Sequence, residues 1–214
     1  SANYRLSWGE AEGASTGREV NAPAKVRCQQ TRQRVRVDTG PLRLTLSKRR
    51  LVPFEQIEVK NEQGRWVSAF PEGKHADLYL ANGEGEQFRG SHSGRPEVEI
   101  EENGPQRVSL KLEGWMRSES GQKLGRRIVR IYAFAGKRQL RVLDTWVNTA
   151  DTDEVTFDNI SLHLPFKGDR YRFHGAKMDE PAQVKDAAYL LQHGSDAYER
   201  VDRGETQASG QRAP

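Results

Sequence analysis

Residues 37–48 read VDTGPLRLTLSK, and the side-chain pattern around this stretch decides the fold class. Valines stand at odd positions before its centre (35 and 37), whereas leucines stand at even positions after it (42, 44 and 46). Because side chains along a strand alternate between the two faces of a sheet, this change of phase requires a bend or bulge at Thr39-Gly40-Pro41. The stretch therefore predicts a bent antiparallel sheet.

The same alternation recurs along the chain as hairpins. Residues 97–113 alternate on both sides of a turn signal at Asn103-Gly104-Pro105. A longer hairpin spans 126–148 around Ala135-Gly136-Lys137, and its strands are apolar on both faces, which predicts central strands under a covering layer. At least nine strands and no helix are expected, so the predicted fold is an all-β, large antiparallel β-sandwich.

The charge pattern allows two interpretations. The net charge is +4, and the first fifty residues hold eleven Lys or Arg against four Asp or Glu. An anionic partner, such as a uronic-acid polymer or a nucleic acid, accounts for this excess. A GC-rich genome together with solvated strand faces is the favoured explanation, because most of these arginines alternate with apolar residues.

Other features exclude classes of site. The chain has no apolar window of about 18 residues, so no membrane partner is predicted. Cys28 is the only cysteine, which excludes an internal disulfide bond. The five histidines do not stand at metal-ligand spacing, and no phosphate-binding glycine motif occurs, so neither a metal nor a cofactor is predicted.

Four strings in a fixed order resemble one known family. They are VDTGPLRLTLSK (37–48), VEIEENGPQRVSLKLEGW (98–115), RRIVRIYAFAGKRQLRVLDTWVNTADTD (126–153) and ISLHLP (160–165). Together they resemble the central β-sandwich domain of the exo-rhamnogalacturonan lyase family and its bacterial YetA-like relatives. The resemblance covers about residues 30–195, and it implies a sandwich of the galactose-mutarotase-like type, flanked by a RIFT barrel and an α/α toroid.

The resemblance also sets the expected domain organisation. Residues 1–24 are expected to hold the last strand of a preceding barrel and a linker, 25–205 the sandwich, and 206–214 a frayed tail. The chain then looks like a middle module of a larger enzyme, whose barrel and toroid domains are its partners. The compartment is left open, with a secreted or periplasmic location favoured.

The function implied by the resemblance is that of an accessory or structural module. The module would belong to a polysaccharide lyase that acts on acidic, rhamnogalacturonan-like pectin polymers, and it would not be catalytic by itself. A free-standing carbohydrate-binding module is the alternative. Non-specific nucleic-acid binding ranks last, since no nucleic-acid motif is present, and it is not expected.

Candidate carbohydrate-binding residues follow from the chemistry of an acidic sugar. Trp115 follows a glycine at a strand end and is expected to be exposed for stacking on a sugar ring, whereas Trp146 is expected to pack in the core. Arg170, Tyr171, Arg172 and His174 form the densest local cluster of groups that bind or protonate an anionic sugar. A solvated strand edge is the alternative interpretation of that cluster, and no catalytic residue is assigned.

Overall fold

The structure is a computed structural model that describes residues 25–151 and 153–168, together with the backbones of strands at 170–171, 182–183, 188–192, 197–202 and 205–211. This part of the chain contains strands and turns and no helix, as the sequence predicts. All strand pairs within it are antiparallel.

Two larger sheets pack face to face as a β-sandwich. The first has five strands in sequential order: β1 (Arg27–Gln30), β2 (Arg34–Asp38), β3 (Leu42–Ser47), β4 (Gln56–Lys60) and β5 (Trp66–Ser68). The second has seven: β6 (Asp77–Asn82), β7 (Gln87–Arg89), β8 (Glu97–Asn103), β9 (Arg107–Ser118), β10 (Lys123–Phe134), β11 (Leu140–Val147) and β12 (Phe157–His163). The all-β sandwich prediction is confirmed.

The core lies between the inner faces of these sheets, where alternation places the apolar side chains. Strand β3 buries its leucines, and strand β10 buries every second residue from position 125 to 133. The largest fully buried side chains come from both sheets and their connections: Val35, Val37, Leu44, Leu46, Leu51, Phe70, Leu78, Leu80, Leu110, Leu112, Met116 and Ile131.

The opening stretch forms a hairpin rather than one bent strand. Val37 lies opposite Leu44, so an odd position faces an even one, and both side chains point into the core. The change of phase in the sequence is the consequence of chain reversal, with Gly40 at φ 103° and Pro41 as the loop. The prediction of a bend or bulge is therefore wrong, because the two segments are the separate strands β2 and β3, which pair across a turn.

The hairpin turn is fastened to the opposite sheet by Thr39, which is fully buried. The Thr39 hydroxyl lies 2.7 Å from the carbonyl oxygen of Lys137 and donates to it. The same hydroxyl accepts the backbone N–H of Leu42 at 3.2 Å. The Thr39 carbonyl in turn accepts the N–H of Gly136 at 2.7 Å. Thr39, in the β2–β3 turn, thus binds the turn between β10 and β11 through its hydroxyl and its carbonyl.

The second sheet has the strand order β11-β10-β9-β7-β6-β12, and β8 also pairs with β9. Strand β9 is long enough to pair with β8 along its first half and with β7 at its end. Strand β11 terminates this path, and Leu143 and Val147 are exposed on it. The prediction that both strands of this hairpin are central is wrong for β11, because β10 is its one partner among the described strands.

Two features of the later chain bear on the sequence analysis. Strand β12 pairs with β6 and has a register irregularity between Phe157 and Asn159, which confirms the bulge that its pattern indicates. Further backbone strands are β13 (Arg170–Tyr171), β14 (Ala182–Gln183), β15 (Ala188–Gln192), β16 (Ala197–Asp202) and β17 (Glu205–Gln211). Strand β17 covers much of 206–214, which the sequence predicts to be a frayed tail. The domain boundaries at residues 24 and 205 stay a prediction.

Candidate functional site

Only one of the predicted site residues has a described side chain. Trp115 lies in β9, on the outer face of the second sheet. Arg170 and Tyr171 form strand β13, of which the structure describes the backbone. Arg172 and His174 lie outside the described residues. The proposed cluster around 170–174 therefore stays a prediction, and the site is built here from Trp115.

The Trp115 side chain is accessible and lies beside two cations. The residue is 36% exposed, which confirms its predicted exposure. Lys123 Nζ lies 5.6 Å from the centroid of its ring, and Arg126 Cζ lies 5.8 Å from it. Both cations come from β10, which runs antiparallel to β9 and places Arg126 directly opposite Trp115. Contacts of this length favour a cation over the indole face.

The charge of Arg126 is balanced within the protein. Its guanidinium forms an ion pair with Glu113, and Lys111 Nζ lies 2.9 Å from the other oxygen of that carboxylate. The hydrogen bond from Lys111, together with the charge of Arg126, lowers the pKa of Glu113 below its usual value. Two cations share one carboxylate in this trio, so Arg126 already has an acidic partner, whereas Lys123 has none among the described residues.

Three cations form one row across the outer face, and we call them the cationic row: Lys123, Arg117 and Arg89. Lys123 pairs with Arg117 across β10 and β9, and Arg117 pairs with Arg89 across β9 and β7. Directly opposed residues in a sheet share a face at a strand spacing of about 4.8 Å. The row thus concentrates three positive charges within the width of three strands.

The cationic row lacks carboxylate partners among the residues that the structure describes. Arg117 donates to the carbonyl oxygen of Gly121 at 3.2 Å, and Arg89 donates to Gln87 Oε1 at 3.4 Å. These neutral acceptors leave most guanidinium N–H groups without a protein acceptor. The row is therefore suited to bind an anion from solution.

Two stacked rings extend the row at its far end. Arg89 Cζ lies 5.2 Å from the ring of Tyr79, which is stacked on His163 with the ring centroids 4.9 Å apart. Burial lowers the pKa of His163; the carboxylate of Asp77 opposes this shift, and the charge of Arg89 adds to it. These surroundings favour the neutral imidazole of His163 over the protonated form. We call Trp115, the cationic row, Tyr79 and His163 together the Trp115 face.

The outer face of the first sheet is different, although it also carries arginines and a tryptophan. Arg36 is paired with Glu58 at 3.0 Å, and Arg43 is paired with Asp38 at 2.7 Å. Arg43 also covers Trp66, with its guanidinium carbon 3.8 Å from the ring centroid. On this face the arginine-rich pattern reflects a self-neutralised strand surface, which is the second of the two interpretations given above.

Other candidate features have structural roles or none. Trp146 packs partly buried against the core, with its ring edge toward Phe157 at 5.5 Å, as predicted. No group of three metal-ligating side chains comes together in the described ranges. Among the same residues there is no helix long and apolar enough to cross a membrane.

Sequence reasoning missed most of the Trp115 face. Arg89, Arg117 and Lys123 are separated by up to 34 positions, and the register of β7, β9 and β10 brings them together. No motif in the sequence marks Tyr79 or His163 as part of a site. The available signal was alternation: each of these residues stands at the polar positions of a strand pattern.

The comparisons with known proteins agree with the fold. A search of curated proteins found no match. A scan against protein-family models matched the PcRGLX-like protein central beta sandwich domain over residues 26–178, which is most of the chain. The matched region begins just before β1 and contains both sheets of the sandwich. The chain therefore belongs to the PcRGLX-like family and carries its central β-sandwich domain.

Proposed function

We propose that this sandwich is an accessory module of a polysaccharide lyase and contacts acidic, rhamnogalacturonan-like pectin polymers through the Trp115 face. Family membership supports the link to a rhamnogalacturonan lyase-like protein. In this proposal the module holds the polymer, and other domains of the same enzyme, a barrel and an α/α toroid, carry out the elimination.

The observation that carries the proposal is the cationic row beside an exposed indole. A uronate residue offers a carboxylate, which forms charge-assisted hydrogen bonds with Arg117 and Arg89. The apolar face of a neighbouring sugar ring stacks on Trp115, where Lys123 adds a further positive charge. An extended polymer lying across the strands would meet Lys123, Arg117 and Arg89 in succession, because they follow one row of the sheet, and Trp115 stands two residues along β9 from Arg117.

A binding measurement with a matched control tests the proposal. The chain is titrated calorimetrically with rhamnogalacturonan oligosaccharides, and the double variant Arg89→Gln/Arg117→Gln is compared with Arg36→Gln, which removes a paired arginine from the other sheet. Two exposed charge contacts correspond to about tenfold in affinity. We expect that loss in the double variant and wild-type affinity in the control. Equal affinities in both variants would remove the Trp115 face as the binding surface.

Catalysis is tested separately. The isolated chain is incubated with rhamnogalacturonan, and the ultraviolet absorbance of the unsaturated elimination product is followed. We expect no turnover, and sustained turnover by the chain alone would overturn the accessory role. A free-standing carbohydrate-binding module predicts the same binding result. The parent reading frame distinguishes the two, since only the accessory role requires lyase domains in the same polypeptide.

A further inference from the structure

A concave site on the sandwich shares no residue with the Trp115 face. It is a cleft of about 420 Å³ between the β3–β4 connection and the turn that precedes β6. We call it the Arg50 cleft, and its charged and titratable lining consists of Arg34, Arg50, Glu55, Glu72, Lys74, His75 and Lys167. Its volume falls in the range of small-ligand sites, which is about 300–1,000 Å³.

The lining of the Arg50 cleft carries an excess of positive charge. Arg34 Nε lies 2.8 Å from Glu55 Oε2, so one cation is compensated. Arg50 Nη2 is 3.9 Å from the other Glu55 oxygen, a distance too long for a hydrogen bond. Lys74 and Lys167 add two further cations, and Glu72 adds one further carboxylate. The lining thus holds four cations against two carboxylates, and a single anionic group entering the cleft would reduce this excess.

The Arg50 guanidinium is oriented by a histidine whose tautomer follows from its two hydrogen bonds. His75 Nδ1 lies 3.0 Å from the carbonyl oxygen of Ala76, and a carbonyl only accepts. The proton therefore sits on Nδ1, and the Nε2 lone pair accepts from Arg50 Nη1 at 3.2 Å. Arg50 uses one N–H group in this bond, so its remaining donors are available for a bidentate carboxylate.

The cleft also has apolar and neutral polar walls. Pro71 gives the lining an exposed apolar residue, whereas Phe70 in the same lining is only 1% exposed. Ser68 and Gln56 supply a hydroxyl and an amide on the same lining. A ligand that matches these walls has one carboxylate, a hydrocarbon face and several hydroxyl groups.

We propose that the Arg50 cleft binds a small hydroxylated carboxylate of the uronic-acid class, with Arg50 as the carboxylate ligand and His75 as its positioning residue. The ligand is either a free uronic acid or the end residue of an acidic oligosaccharide, since both present the same groups. The choice of a uronic acid among hydroxylated carboxylates rests on the proposed function, but the two sites share no residue, so variants of each test them separately.

The test uses galacturonic acid as the probe, followed by chemical-shift titration of the intact chain. Galactose controls for hydroxyls without charge, and acetate controls for charge without hydroxyls. We expect saturable binding of galacturonic acid that Arg50→Gln weakens at least about tenfold. Arg95→Gln, an exposed loop arginine outside the cleft, and Trp115→Ala should both leave the affinity unchanged. Acetate or galactose binding as tightly as galacturonic acid would overturn the assigned ligand class.

Two further binding measurements test the positioning role of His75 and identify the source of the ligand. His75→Gln keeps an acceptor for Arg50 and should bind within about twofold of wild type, whereas His75→Leu removes it and should bind several-fold more weakly. Equal affinities of the two variants would overturn the positioning role.

The source of the ligand is identified with a trigalacturonate. If it binds in an Arg50-dependent way and the monosaccharide does not bind, the ligand is a chain end. Binding of neither compound overturns the proposal.

Discussion

Replacement of Thr39 by valine removes one hydroxyl and nearly preserves the shape of the side chain. That hydroxyl connects the two sheets, because it belongs to the β2–β3 turn and donates to Lys137 in the β10–β11 turn. The side chain is fully buried, so water cannot replace it. The variant therefore leaves the N–H of Leu42 and the carbonyl of Lys137 without their partner.

The size of the effect follows from these two groups. A buried polar group that loses its partner costs about 1–3 kcal/mol. The Leu42 N–H lies in the buried turn and should carry the full cost, whereas Lys137 is exposed and its carbonyl can be partly hydrated. We expect a loss of about 3 kcal/mol in the free energy of unfolding. For a chain of this size, that lowers the melting temperature by roughly 6–12 °C.

Urea-induced unfolding, followed by tryptophan fluorescence and by circular dichroism, measures this loss. Thr45→Val is the matched control, because Thr45 is a half-buried threonine of the same hairpin with no side-chain hydrogen bond in the described structure. It should change stability by less than about 0.5 kcal/mol. Thr39→Ser retains the hydroxyl and should recover most of the loss. Equal midpoints for Thr39→Val and Thr45→Val would refute the inter-sheet role of the hydroxyl.

Two further predictions concern other parts of the sandwich. Gly125 has a φ of 68°, and the methyl group of Gly125→Ala would overlap the Trp146 ring. Overlap and backbone strain together should lower the free energy of unfolding, measured by thermal unfolding, by about 3 kcal/mol. Gly121→Ala, at a φ of 89° with open space around it, should cost only about 1 kcal/mol, and equal losses would argue against the overlap. Burial would raise the pKa of Asp38, but hydrogen bonds from Arg43 and a backbone N–H outweigh it and lower the pKa. Because the pKa of Asp38 is lower in the folded state than in the unfolded state, Asp38→Asn should destabilise the protein at pH 7. The difference in the free energy of unfolding between wild type and variant, measured by urea unfolding, should shrink as the pH falls below about 4. A difference that stays constant with pH would contradict the lowered pKa of Asp38.

Local patterns predicted the strands of this fold better than their partners. The alternation at Val35 and Val37, and again from Leu42, located β2 and β3, but the break between them was interpreted as a bend. Both a bulge and a chain reversal change the phase of the pattern, so alternation alone does not distinguish them. The hairpin at 126–148 was located, yet apolar residues such as Leu143 suggested a central position for β11. An edge strand with an exposed apolar face has the same sequence pattern as a covered one.

The candidate site was less predictable, because it depends on pairing between distant strands. Trp115 was identified from its own position after a glycine at a strand end. Its neighbours in space, Lys123 and Arg89, belong to strands on either side of β9, and no short motif links them. The distinction between paired and unpaired arginines also needs the register: Arg36 meets a carboxylate across the sheet, whereas Arg117 meets another arginine.

Because β6 pairs with the distant strand β12, one edge of β6 is unpaired during part of synthesis. Strand β6 ends at Asn82 and β12 begins at Phe157, so 74 residues (83–156) must follow β6 before its partner starts to appear. At about 5–20 residues per second, the outer edge of β6 waits roughly 4–15 s on the ribosome without its hydrogen-bonding partner. An unpaired edge of this kind is a template for association with other chains. Truncation before residue 157 makes that interval permanent, so shortened versions of this sandwich should aggregate even though most of its core residues are present.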